Sequence, residues 1–514
     1  MEPLGRTLPA SNLGEGPIFS HTCRRSTPAQ LRGRLVRTHA AESGLQRGAR
    51  EGMPVPGGTT GLPLVGETME WLKSPLEFHQ KRMAVHGSIY KSHILGKPTV
   101  FVTREEDILP LLLSEHKMVE SDWPPGIKRL LGPHSLLNQS GAKHQSQRRI
   151  ITQAFTREAV ASYMPTVMEA IQAHQDKWDA DGHVFAFEEG KSIALDVAMT
   201  VLIGLRLDTG SARKLGQLFR KYVGGFFSLP IPQVNKVFRD ALEARAAILD
   251  QIRGFVEESI QQRRGVQHPP APSNALHYLI DARDDEGKQA SLTQLTDQAL
   301  TQLFAGHETT GNAIMRIFLS LPQHPDVIQR LRDEQATLMA RHGPQITGAV
   351  LEEMVYGEAV LREMLRTAPP VPFVYREALQ DLDVGGYRVP KGWRLELRLM
   401  RSIREIGQWK DSRDSFQPER WLQGSPAHHI RDPPGFKPFG DGKRICAGMG
   451  LAKAEIKAML AVLARDYTWE KADAREQMVW PVQPGSLRVN ISRLDKHHAP
   501  SSLASVGQEP ALVH

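Results

Sequence analysis

The residues best equipped for chemistry lie near the C-terminus, in FGDGKRICAGMG, residues 439–450. Cys446 sits there among Gly440, Gly442 and Gly448, just before the helical pattern LAKAEIKAMLAVLARDY. The 514 residues include two cysteines, and the other, Cys23, falls in a segment with the composition of a leader. A disulfide framework is therefore excluded, and Cys446 is left as a metal or cofactor ligand, a nucleophile or an inert buried thiol. Sulfur ligation needs a thiolate, and a free thiol titrates near about 8.5, so holding it ionised at neutral pH takes on the order of 2 kcal/mol. Three local features are expected to help. The glycines let backbone N–H groups turn toward the sulfur, the helix that follows brings the positive end of its dipole close, and Arg444 adds a cation two residues away.

A second chemical segment, LFAGHETTGNA at 303–313, interrupts an apolar helical pattern over 292–320 with Gly306, Glu308, Thr309 and Thr310. Propensity disfavours such residues in mid-helix, so packing or function must outweigh it. A hydroxyl bonding back to the preceding turn loosens a helix and leaves space for water or a small ligand. His307 reads as a packing position, and the zinc-hydrolase pattern H-E-x-x-H is absent. A third segment, LREMLR, places Glu363 and Arg366 three apart on a helix, where their side chains are neighbours.

Phe439, Gly442, Arg444, Cys446 and Gly448 fit F-x-x-G-x-R-x-C-x-G, and on them the chain resembles the cytochrome P-450 family of haem-thiolate mono-oxygenases, over roughly residues 54–494. The resemblance implies haem b, iron protoporphyrin IX, with Cys446 as axial ligand to the iron, Phe439 shielding the sulfur and Arg444 pairing with a propionate. AGHETT is similar to the family's A-G-x-(D/E)-T-(T/S), which implies that Ala305 and Gly306 lie over the haem while Glu308 and Thr309 supply protons for O₂ cleavage. FQPERW follows at the family's spacing and would add Arg420 to Glu363 and Arg366 in a buried structural network. GAKHQSQRR resembles the family's W-x-x-x-R segment with His144 in place of Trp and Arg148 retained; both would face propionates, as would Arg376 of YREALQDL. Val371 and Phe373 of PPVPFV, parts of 120–137 and Ser486 of PGSL would enter the substrate pocket. GLPLVGET, AGHETT and FSLPIP look closest to the branch that oxidises retinoids, abscisic acid and sterols, which implies an apolar isoprenoid or carotenoid-derived substrate.

The elements that must position these residues are mainly helical. Apolar spacings of three and four predict helices over 156–177, 233–263, 292–320 and 351–366. SIYKSHILGKPTVFVT, 88–103, predicts two strands turning at Gly96 and Lys97, and 379–398 returns to strand and turn chemistry. The expected fold is mainly α with a small β region: one catalytic domain over 71–494 behind a rigid Pro/Gly lead-in over 51–70, with HPPAPSN (268–274) as a surface loop and 495–514 as a loose tail. YVGGFFSLPIP, 222–232, reads as the loop between two lid helices, with peripheral membrane contact as one use.

Residues 1–50 hold eight Arg, no Lys and three Glu, so they carry +5 of the net +7. The folded part is nearly neutral, which removes most of the case for nucleic-acid binding. The segment is Arg-, Ser- and Thr-rich and acid-poor, as organellar transit peptides are, so plastid import is expected, with the mitochondrion second. No apolar run is long enough for a transmembrane anchor. One domain leaves no room for a flavin or nicotinamide unit, so electrons must come from outside: ferredoxin in a plastid, or an NADPH-dependent flavoprotein reductase. Lys437, Lys443 and Lys453 around the Cys446 loop are candidates to meet an acidic partner. Two other readings use the same motifs, an O₂-independent hydroperoxide-rearranging enzyme and a non-catalytic haem- or lipid-binding protein; the Glu308/Thr309 pair argues against both.

Overall fold

Apolar residues at helical spacing do bury one face after another, and the result is a helical body with a small sheet at one side. The computed structural model describes residues 52–62, 65–404, 407–422, 433, 435–476 and 485–494. The expected transit segment and the tail beyond 494 lie outside the described residues. Among those described, the helices of nine or more residues are α1 (Pro75–His86), α2 (Glu105–Leu113), α3 (Gly141–Gln153), α4 (Arg157–Asp181), α5 (Ala186–Val197), α6 (Thr209–Gly224), α7 (Lys236–Arg264), α8 (Leu292–Ser320), α9 (Pro325–His342), α10 (Val355–Thr367) and α11 (Met449–Asp466).

The strands are β1 (Ile89–Ile94), β2 (Lys97–Val102), β3 (Val119–Ser121), β4 (His183–Phe185), β5 (Val374–Ala378), β6 (Leu382–Val384), β7 (Tyr387–Val389), β8 (Arg394–Leu397), β9 (Tyr467–Lys471) and β10 (Arg488–Arg493). The largest sheet has the order β1-β2-β8-β5-β3. β1 and β2 form the expected hairpin, with Ile94 opposite Lys97, and β2 then pairs in parallel with β8. HPPAPSN falls between α7 and the short helix Ala275–Asp281, exposed except at Pro272 and Asn274, and Asn274 caps that helix.

Helix α8 is the axis of the body. A capping box at Ser291 and Gln294 starts it, and most of its residues are buried along its length. It runs unbroken through AGHETT, so the loosened stretch expected there keeps helical geometry. α5 lies against it backbone to backbone, because a Cβ on Gly190 would stand 2.5 Å from the Gly311 carbonyl oxygen. α11 packs on α4, α8, α9 and α10, which fixes the Cys446 loop at its N-terminal end relative to the axis.

The helix expected over 351–366 is instead two. Gly348–Glu353 ends at Met354, and α10 begins at Val355. Glu334 of α9 explains the break, since its carboxylate accepts hydrogen bonds from the N–H groups of Tyr356 and Gly357, the latter at 2.9 Å. Those are free donors at a helix start, and an anion there also meets the positive end of the dipole.

Candidate active site

The Cys446 loop is closed by its own backbone. Cys446 N–H donates to the Phe439 carbonyl at 2.9 Å, and Gly440 (φ 73°) and Gly442 (φ 65°) take the left-handed conformations that the reversal requires. A Cβ on Gly442 would lie 2.5 Å from the Leu112 carbonyl oxygen, so the loop sits against the end of α2. Phe439 and Ala447 pack on the core while Cys446 is accessible. Neighbouring atoms nevertheless desolvate its sulfur.

Burial pushes the Cys446 thiol up from its ordinary value; the hydrogen bond from Gly448 and the charge of Arg148 pull it down without prevailing. The sequence expectation is corrected here in one respect: the cation acting on the sulfur is Arg148 of α3 rather than Arg444. A bound metal would complete the deprotonation.

Arg444 instead turns away to hold the surrounding loops. Its Nε donates to Glu115 Oε1 at 2.8 Å, and its terminal nitrogens donate to the Gln139 carbonyl at 2.6 Å and the Leu136 carbonyl at 3.4 Å. Glu115, fully buried, is shared: Arg376 Nε lies 2.7 Å from its other oxygen. Arg148 is half-buried and has no carboxylate partner among the described residues. His144, 1 % exposed on α3, stands amid all three arginines: burial first, then the charges of Arg444, His116, Arg148 and Arg376, push its imidazole down to about 3. Three guanidinium groups around one neutral imidazole, with a single carboxylate among them, form a site for a dianion.

On α8, Thr309 Oγ1 donates to the Ala305 carbonyl at 2.7 Å, the bond back to the preceding turn that the sequence suggested. Ala305 is exposed and Gly306 half-exposed within an otherwise buried helix, so this stripe borders accessible interior space. Glu308 points the other way, to Lys191 of α5, whose Nζ donates to Oε2 at 2.7 Å. His307 is buried and packs edge-on against Phe219, with ring centroids 5.2 Å apart, as a packing position should. It also lies 3.2 Å from Glu308 Oε1. Lys191 and Glu115 are absent from the sequence reading; neither belongs to a motif, and each acts across more than a hundred residues.

The Glu363 network is buried. Arg366 donates to both Glu363 oxygens at 2.8 Å, Arg420 Nε to Oε1 at 3.1 Å and Trp421 Nε1 to Oε2 at 3.0 Å, with Glu363 and Arg366 wholly buried. Arg366 also donates to the carbonyls of Arg413 and Ser415, tying α10 to the segment before the Cys446 loop. On the other side of the site, Phe373 meets Tyr375 (5.2 Å) and Phe227 (6.4 Å), and Tyr375 meets Trp123 at 6.4 Å. Val371 is half-buried just before this run, and Ser486 lies at the turn into β10. Of the three loop lysines, Lys437 pairs with Asp441 and Lys453 with Glu358, while Lys443 is exposed.

An accessible thiol in a glycine loop, an arginine cluster suited to two propionates, and no group of three or more metal-binding side chains among the described residues are the donor set of a haem-thiolate protein. The residues fit haem b. The chain belongs to the cytochrome P450 family: the family model described as Cytochrome P450 matches residues 56–491. It is 34 % identical over 418 residues to a putative cytochrome P450 120 of Synechocystis sp., covering 81 % of this chain and 91 % of that one. It is 31 % identical over 439 residues to cytochrome P450 26B1 of Xenopus tropicalis, covering 84 % of each. Retinoic-acid-bound cyanobacterial CYP120A1 superposes with a TM-score of 0.79 at 33 % identity, over 86 % of this chain and all of that one. The protein is thus a mono-oxygenase that uses haem, O₂, an apolar substrate and electrons from an external donor. Among the described residues no helix is long and apolar enough to cross a membrane.

Proposed function

We propose that this enzyme inserts one oxygen atom from O₂ into a C–H or C=C bond of an apolar isoprenoid of retinoid or carotenoid-derived type, giving an alcohol as the usual product. The likeness to retinoic-acid-bound CYP120A1, 33 % identical over 86 % of this chain, carries the substrate class, and Phe227 and Phe373, in ring contact at 6.4 Å, are the aromatic residues that would meet an extended conjugated chain.

Haem, when bound, supplies the oxygen activation, and thiolate donation favours O–O cleavage. Cys446 would hold the iron from one side, and His144, Arg148, Arg376 and Arg444 would surround the propionates. Ala305 and Gly306 lack bulk, so their stripe leaves room for O₂ and substrate. The Thr309 hydroxyl and the Glu308 carboxylate would relay inward the protons that the reaction consumes, with Glu308 anchored by Lys191 on the far side of α8.

The leader over 1–50 we read as a plastid transit peptide, with ferredoxin as donor; Lys443 is the loop lysine available to an acidic partner. Phe227, Ile231 and Val234, 44, 48 and 78 % exposed between α6 and α7, would rest the lid on a membrane surface from which an apolar substrate enters. The test is to reduce the protein under carbon monoxide, beside Cys446→Ala, and to titrate it with all-trans-retinoic acid. A far-red Soret band lost in the variant, a spectral shift on titration, and ¹⁸O from ¹⁸O₂ in a hydroxylated product are expected. Absence of the shift together with absence of product would overturn the substrate class.

A further inference from the structure

We propose that His116 is a positioning residue that fixes the tautomer of His144, making it a neutral Nε2–H donor to a haem propionate. The inference rests on the reading that His144, where related chains carry Trp, faces that propionate.

The argument is a chain of hydrogen bonds in which each donor is forced. Gly141 N–H, at the first residue of α3, points at His116 Nδ1 at 3.2 Å. A backbone N–H can only donate, so Nδ1 of His116 must accept and carries no proton. Burial, the leading influence, holds the His116 imidazole below its ordinary value, so the ring is neutral and its one proton is on Nε2. That nitrogen is 3.1 Å from His144 Nδ1. His144 Nδ1 must then accept, and because this ring too is neutral, its proton is on Nε2. An indole can only donate, which suits it to a carboxylate; an imidazole can do either, and needs a neighbour to choose.

The surroundings leave little alternative. Glu115 Oε1 and Glu120 Oε1 lie 3.9 and 3.5 Å from His116 Nδ1, and a proton there would pair with them but would face the Gly141 N–H head-on. Arg444, Arg148 and Arg376 all oppose a second proton on His144. The His116 backbone has φ 69°, an uncommon conformation for a residue with a Cβ, and it is held where the side chain completes the chain of bonds.

The test compares His116→Leu, which cannot donate, with His116→Gln, whose amide can accept from Gly141 and donate to His144. Both bear the same backbone cost at positive φ, so their difference reads the hydrogen bond. In haem-loaded protein, two readouts independent of turnover are the rate of haem transfer to apomyoglobin and the propionate bending band in resonance Raman. His116→Leu is expected to lose haem about tenfold faster and to shift the band, the size of one charge-assisted hydrogen bond, while His116→Gln stays within about twofold of the parent by the same scale. Equal behaviour of the two variants would overturn the tautomer role. His144→Ala separates the two layers: if it too leaves both readouts unchanged, the placement of His144 at a propionate fails; if it moves them and His116→Leu does not, the tautomer inference alone fails.

Discussion

Lys191 Nζ donates to Glu308 twice, to the carboxylate Oε2 at 2.7 Å and to the backbone carbonyl at 3.0 Å, and so holds the acid of α8 from the neighbouring helix. Both side chains are largely buried, at 12 and 17 % exposure. Burial lowers the lysine's affinity for its proton and Glu308 partly restores it, so each group makes the other's charge tolerable. Removing one partner leaves the other buried and uncompensated, which costs about 3–5 kcal/mol. Lys191→Met and Glu308→Gln should each lower the thermal midpoint of the haem-loaded protein, and the double variant should be less destabilised than the sum of the two. Strict additivity would mean that the pair is not coupled.

The proton role of Glu308 predicts a loss of a different kind. Glu308→Gln keeps the shape and removes the acid, and product formation per O₂ consumed should fall by about a hundredfold, the low end of what a positioned acid contributes. The carbon monoxide spectrum should stay unchanged, since Cys446 is untouched.

Thr309 offers a sharper probe because its hydroxyl already has a partner in the Ala305 carbonyl. Thr309→Val removes the hydroxyl and keeps the branching, so α8 should stay helical and haem content should hold while coupled product formation drops. Thr309→Ser, which retains the hydroxyl, should recover most of it. Equal losses in the two variants would point to packing rather than to the proton.

Much of this was legible in the sequence because it is local. The glycine loop, the Glu363/Arg366 pair one helical turn apart, and the strongly periodic helices α4, α7 and α8 are each specified within a short window. What escaped notice depends on contacts between distant segments. Lys191 reaches Glu308 because Gly190 and Gly311 let two helices touch backbone to backbone, and neither glycine announces its partner. Glu115 lies in a short connection with no motif, yet it joins arginines from β5 and the Cys446 loop. The break at Met354 is likewise set by Glu334 of another helix, against a periodic pattern that alone favours continuity. The cation beside Cys446 was likewise expected from the next residues, and the one that acts on the sulfur, Arg148, comes from α3, nearly three hundred residues away.

The Glu363 network should be intolerant of small changes. Glu363 accepts bonds from Arg366, Arg420, Trp421 Nε1 and the Gln417 N–H, so Glu363→Gln removes the one negative charge that two buried guanidinium groups share at once. Arg366→Lys keeps the charge but cannot span both oxygens and the Arg413 and Ser415 carbonyls together. Both variants should give little haem-bound protein, read as the ratio of Soret to protein absorbance; a normal ratio in Arg366→Lys would show that charge alone suffices.

A pH dependence of stability follows from His174, buried between α4 and α5. It bonds Glu189 at 2.7 Å and Asp196 at 2.9 Å, and Trp178 Nε1 donates to the same Glu189 oxygen at 2.6 Å. Burial alone would lower its pKa, but the two carboxylates prevail and raise it from 6.5 to about 9. A raised pKa means that the folded state binds the proton more tightly than the unfolded chain. The contribution is therefore complete below about 6.5 and is lost as pH rises to about 9, with a size of about 3 kcal/mol. Glu189 carries the opposite sign: burial would raise its carboxyl, but His174 and then Trp178 prevail and hold it below the usual value, so its share is lost as pH falls. Replacing His174 with Gln should cost most near pH 6 and little near pH 10. Thermal midpoints of the parent and variant across that range would show the gap closing as pH rises; a gap of constant width would mean that His174 is neutral and serves only as packing.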